Sequence, residues 1–114
     1  MTDDIQVVPQ QVSILIVDDL AIVRLSLRHI LTKAGYRCRE AEDVAAALAM
    51  LDGDAIDLIL CDIQMPGASG LDLVKAIKPR IPDTSVVMVS SLEDAETAIE
   101  CLQQGAFGYV LKPY

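Results

Sequence analysis

Three uninterrupted apolar runs constrain this chain more than any other feature: Ser13-Ile14-Leu15-Ile16-Val17, Leu58-Ile59-Leu60-Cys61 and Ser85-Val86-Val87-Met88-Val89. Each is shorter than a typical helix, and none alternates apolar with polar as a strand with one wet face does. Such runs fit parallel strands buried on both faces, which need crossover helices between them. The intervening segments supply helical periodicity. Val23, Leu27, Ile30, Leu31 and Ala34 recur at helix spacing and stop at Gly35; Val44, Ala47, Leu48 and Leu51 follow Asp43 as N-cap and stop at Gly53. Leu71, Val74 and Ile77 make a third stripe ending near Pro79, and Ala95, Ala98, Ile99 and Leu102 a fourth ending at Gly105. Tyr36 to Glu40 and Gly108 to Leu111 are weaker strand candidates. The expectation is an α/β fold, a doubly wound five-stranded parallel sheet of order 2-1-3-4-5 with right-handed crossovers.

The 114 residues suffice for one domain with a real core. With 53% hydrophobic residues, 4% aromatic and no Trp, that core must be built from Val, Ile, Leu, Ala and Met. A net charge of −8 repels nucleic-acid phosphates and anionic membranes, which argues against direct DNA binding or membrane association. No segment approaches the ~18 apolar residues of a membrane span, and no cationic start precedes an apolar stretch, so a cytoplasmic location is expected. Cys38, Cys61 and Cys101 form no Cys-x-x-Cys pair and read as small buried hydrophobes in a reducing compartment. Residues 1–11 read as a flexible N-terminal leader, and residues 12–114 as the domain.

In doubly wound sheets the functional crevice lies beyond the carboxyl ends of the strands, where the strand order reverses. The first strand runs out into Asp18-Asp19, the third into Asp62, the fourth into Ser90-Ser91 and the fifth into Lys112-Pro113. Taken singly, each has an ordinary explanation, since Asp is frequent in loops and at helix N-caps. Taken together, three carboxylates at the rim of an apolar sheet repel one another unless a cation neutralises them. Mg2+, a hard ion satisfied by carboxylate, carbonyl and water oxygens, suits Asp18, Asp19 and Asp62. A carboxylate such as Asp62 can also attack phosphorus when a metal and a cation offset the developing charge. Lys112 is the cation of this set, and the Ser90 hydroxyl can donate to a phosphoryl oxygen.

The sequence resembles the receiver (CheY-like) domain of two-component response regulators over about residues 12–114. The resemblance rests on Ile14-Leu15-Ile16-Val17-Asp18-Asp19, on Asp62-Ile63-Gln64-Met65-Pro66-Gly67 with Gly70, on Ser90, and on Gly105-Ala106-Phe107-Gly108-Tyr109-Val110-Leu111-Lys112-Pro113. It implies that Asp62 is the phosphoacceptor and that Asp19 ligates Mg2+ directly. Asp18 would do so mostly through water, and Gln64 through its backbone carbonyl. It further implies that Ser90 and Lys112 hold the phosphoryl group, that Tyr109 moves inward with Ser90 as a switch, and that Lys112-Pro113 is cis. The implied partners are a histidine kinase or phosphotransfer protein, or a small phosphodonor, with an output domain C-terminal in the full-length protein.

Some positions depart from that pattern. Leu20 stands where an acidic residue is usual. Ser91 stands where Ala is usual and is expected to pack simply as a small residue. Gln64 and Leu92 occupy the positions that tune phosphoryl lifetime in the family. The resemblance also implies a fifth helix beyond Tyr114. Its absence leads to the expectation of a piece of a longer protein, with a bare sheet face open to homodimerisation. A haloacid dehalogenase-like phosphatase needs a second Asp two residues after the nucleophile, where Gln64 stands. A nucleotide or flavin binder needs a phosphate-cradling loop where Asp18-Asp19-Leu20 stands. A receiver serving only as a protein-binding surface has no need of the intact Asp62, Ser90 and Lys112 set. The lone His29, inside the first helix, reads as a surface residue.

Overall fold

A computed structural model describes residues 12–53, 55–81 and 83–112. The order is β1 (Ser13–Val17), α1 (Ala21–Lys33), β2 (Arg37–Ala41), α2 (Val44–Leu51), β3 (Leu58–Asp62), α3 (Gly70–Ile77), β4 (Ser85–Ser90), a 3-10 turn (Leu92–Asp94), α4 (Ala95–Gln103) and β5 (Gly108–Leu111). All strand pairings are parallel, and the sheet order is β2-β1-β3-β4-β5, as the sequence pattern predicts. The expected leader, residues 1–11, lies outside the described residues.

Side-chain alternation divides the core. Leu15, Val17, Ile59, Cys61, Val86 and Met88 point to one face, where α2, α3 and α4 bury Ala47, Leu73, Val74, Ile77, Ala98 and Cys101 against them. Ile14, Ile16 and Cys38 point to the other face and meet Leu27 of α1, with Leu58 and Leu60 only partly buried beside them. The three-helix face is thus fully packed. On the α1 face, Leu27, Ile30, Leu60, Val89 and Val110 line an open apolar groove of about 230 Å³.

Two helical stripes are covered over less of their width than their spacing suggests, α1 on the face that carries one helix and α4 on the face that carries three. In α1 only Leu27 is buried; Val23 and Leu31 are partly so, whereas Ile30 is 55% exposed. In α4 the buried pair is Ala98 and Cys101, and Ile99 stays half exposed. Helical spacing marks an apolar stripe, but its covered width depends on how many neighbours pack against it. Other local signals hold. The Asp43 side chain caps α2 by accepting from the Ala46 N–H at 2.8 Å. Ser69 and Asp72 form a capping box at the start of α3. All three cysteines are buried and free, and His29 is exposed.

Candidate functional site

β1 delivers Asp18 to the carboxyl edge of the sheet, and the Asp18 N–H extends the pairing by donating to the Ala41 carbonyl at 3.1 Å. Its carboxylate turns back to accept from the Leu20 N–H at 2.9 Å. Leu20 is the N-cap of α1 and its side chain has no acceptor, so Asp18 engages the helix start in its place. One turn into α1, Arg24 donates from Nη1 to the Asp18 carbonyl at 2.6 Å and from Nε to Glu40 at 3.2 Å. Arg28 reaches the same Glu40 at 2.8 Å. The hydrogen bond from Arg28, more than that from Arg24, holds the Glu40 carboxyl below its ordinary range. The loop after β1 is therefore fastened from both α1 and β2.

Asp62 ends β3, in register with Val89 of β4. It is buried, and the Lys112 ammonium lies 3.2 Å from its Oδ1. Lys112 itself is positioned by its backbone N–H, which donates to the Ser90 carbonyl at 2.7 Å. Oxygens of Asp18, Asp19 and Asp62 lie within 4.8 Å of one another; Asp18 and Asp62 are buried and Asp19 is exposed. Burial pushes the Asp18 carboxyl up, opposed by the Leu20 N–H and reinforced by the nearby Asp62 charge. Burial likewise raises Asp62, against the pull of the Lys112 hydrogen bond and charge and of the Gln64 backbone N–H. Neighbouring Cys61 is buried among apolar side chains, which pushes its thiol up and leaves it an inert core residue.

The predicted set assembles at one edge, with two qualifications. Ser90 is fully buried and its hydroxyl donates to the Ser91 carbonyl at 2.8 Å; among the described residues no hydrogen bond joins it to Asp62. Tyr109 lies beside Met88 on β5 and is 40% exposed. The Lys112-Pro113 bond lies outside the described residues. Ser91 does more than pack as a small residue: its hydroxyl donates to Asp94 at 2.9 Å. Sequence reasoning missed both Asp94 and Arg24. Asp94 accepts from the Gln64 side-chain amide at 2.8 Å, a pairing of residues thirty positions apart that no local spacing announces.

The sequence profile of the response regulator receiver domain matches residues 14–114. The chain belongs to this family. Receiver domains are signalling domains rather than conventional enzymes, and they bind Mg2+ at acidic residues. The receiver is similar to the DNA-binding transcriptional regulator NtrC of Escherichia coli (strain K12), at 39% identity over 99 residues, 87% of this chain and 21% of that protein. It is also similar to the chemotaxis protein CheY of Pseudomonas aeruginosa, at 36% identity over 104 residues, 89% of this chain and 84% of that protein. The crystal structure of the receiver domain of NtrX from Brucella abortus matches with a TM-score of 0.85 at 36% identity, covering 89% of this chain and 86% of that one. The chain spans about a fifth of the length of the NtrC relatives. Among the described residues no helix is long and apolar enough to cross a membrane.

Proposed function

We propose that this receiver is a phosphorylation switch in which Asp62 accepts the phosphoryl group. The observation that carries the reading is a buried carboxylate that has Lys112 at 3.2 Å on one side and two further acids within 4.8 Å on the other. An Asp62 oxygen attacks phosphorus of a phosphohistidine on a histidine kinase or phosphotransfer protein, or of a small acyl phosphate. The new P–O bond forms as the bond from phosphorus to the donor nitrogen or oxygen breaks. Lys112 offsets charge on the transferring oxygens. The Ser90 hydroxyl turns from the Ser91 carbonyl to donate to a phosphoryl oxygen, and Tyr109 follows it inward as the switch.

The donor set fits Mg2+: clustered hard oxygens on Asp18, Asp19 and Asp62, two of them with carboxyls raised by burial that the single Lys112 charge does not fully offset. These three, with the Gln64 backbone carbonyl, are the residues that would hold the ion. When bound it supplies charge neutralisation for the transferring group. The switch works in the cytoplasm, and in the full-length protein it controls an output domain on its C-terminal side. The test is incubation with acetyl phosphate and Mg2+ followed by intact mass. The expected result is a gain of one phosphoryl group that is lost in Asp62→Asn and on Mg2+ removal. An equal gain in the mutant sinks the proposal.

A further inference from the structure

We infer that Asp94 is a positioning residue for the phosphorylation site, a clasp that holds the acceptor loop to the start of α4 and protects the aspartyl phosphate from water; the inference rests on the reading of Asp62 as acceptor. One carboxylate makes both connections. Its Oδ1 accepts from Gln64 Nε2 at 2.8 Å, and its Oδ2 accepts from Ser91 Oγ at 2.9 Å. Gln64 lies in the β3–α3 loop two residues after Asp62, and its backbone N–H helps hold the Asp62 carboxyl down. Ser91 follows Ser90 in the β4–α4 loop, and its carbonyl is the group that holds the Ser90 hydroxyl. Asp94 is therefore one residue removed from both the acceptor and the phosphoryl-binding hydroxyl, on opposite sides of the crevice. Asp94 also immediately precedes α4 as its N-cap, where its side chain makes no cap hydrogen bond. Its carboxylate is committed to the two loops instead.

The chemistry affected is hydrolysis. A water oxygen attacks phosphorus in line with the Asp62 oxygen, the new O–P bond forms as the P–Oδ bond breaks, and Asp62 is restored as carboxylate while phosphate leaves with the water's protons. The attacking water must enter on the side of phosphorus away from Asp62, where the two loops face each other. With Gln64 pinned to Asp94, the amide bridges that gap and its N–H is committed to a carboxylate rather than to water. Releasing Gln64 opens the entrance and leaves an amide free to orient water.

The test uses two readouts. In the 15N-labelled, unphosphorylated chain, Asp94→Ala should shift the Gln64 side-chain amide resonances, while Asp94→Asn, which keeps an acceptor for Gln64 and can donate to Ser91, should leave them near their original positions. After labelling with acetyl phosphate and removal of the donor, intact mass followed over time should show Asp94→Ala losing its phosphoryl group roughly two- to tenfold faster, the range one solvent-exposed hydrogen bond supports. Asp94→Asn should decay near the wild-type rate, as should exposed neighbour Glu93→Ala. On a Gln64→Ala background, Asp94→Ala should add nothing. An unchanged lifetime in Asp94→Ala, equal acceleration in Asp94→Asn, or additivity with Gln64→Ala overturns the clasp while leaving the acceptor reading intact. A wild-type chain that takes no phosphoryl group overturns both.

Discussion

Replacing Gly70 with alanine tests how the acceptor strand is held against the helix that follows it. A Cβ at this position would lie 2.7 Å from the Asp62 carbonyl oxygen, 2.5 Å from Met88 Cε and 3.1 Å from Ile63 Cα. Met88 Cε is the end of a flexible side chain and can give way. The Asp62 carbonyl cannot move cheaply, because β3 is paired with β1 on one side and β4 on the other. The Gly70 N–H is also bonded to the Ile63 carbonyl at 3.0 Å, which holds α3 at this distance. Overpacking of this kind costs ~1–3 kcal/mol, and the entropy that alanine removes from the unfolded chain returns ~0.4–1 kcal/mol. The net loss is about 1–2 kcal/mol, a fall in melting temperature of roughly 4–15 °C for a domain of this size. Thermal and urea denaturation measure it, with Gly53→Ala as control. Gly53 has nothing within 4 Å of its would-be Cβ and an ordinary φ, so that variant should be neutral or slightly stabilised. A Gly70→Ala chain as stable as wild type, or a loss matched by Gly53→Ala, refutes the close-approach argument.

Removing Lys112 as Lys112→Ala should raise the Asp62 carboxyl further, read by 13C-carboxyl titration; an unchanged or lower value contradicts the ion pair's role. Because Asp18 and Asp62 titrate higher folded than unfolded, their contribution to stability is largest below the unfolded values and declines as pH rises through the folded ones. Urea midpoints without metal should therefore show wild type losing stability relative to Asp18→Asn/Asp62→Asn as pH climbs across that window. Saturating Mg2+ should raise the wild-type midpoint by mass action and leave the double variant unmoved. Arg24→Met should cost about 1–2 kcal/mol in the same assay, because it removes the donor to the Asp18 carbonyl and one of the two cations on Glu40.

Most of the fold was legible because central parallel strands advertise themselves: Ile14 to Val17, Leu58 to Cys61 and Val86 to Val89 are apolar on both faces. The edge strands were less distinct. β2, with Arg37 and Arg39 exposed and Glu40 half-buried beneath the arginines of α1, carries little apolar pattern and begins one residue later than the sequence pattern suggests. Asp18, Asp19, Asp62, Ser90 and Lys112 could be gathered in advance because topology alone sends every parallel strand's carboxyl end to the same edge. What lay hidden was the set of partners that come from helices and loops. The Arg24 contact with the Asp18 carbonyl and the Gln64–Asp94 clasp depend on side-chain reach across elements. The burial of Cys101 follows the reading of the cysteines as small core residues, whereas the half exposure of Ile99 was not visible in the helical spacing.

Locating the modified residue tests the central claim most directly. The chain is treated with acetyl phosphate and Mg2+, reduced with borohydride to convert an aspartyl phosphate to homoserine, digested and sequenced by mass spectrometry. The account predicts homoserine in place of Asp62 alone, and none when Lys112 is replaced or Mg2+ is withheld. Homoserine at Asp18 or Asp19, or none anywhere in a folded wild-type chain, would contradict it.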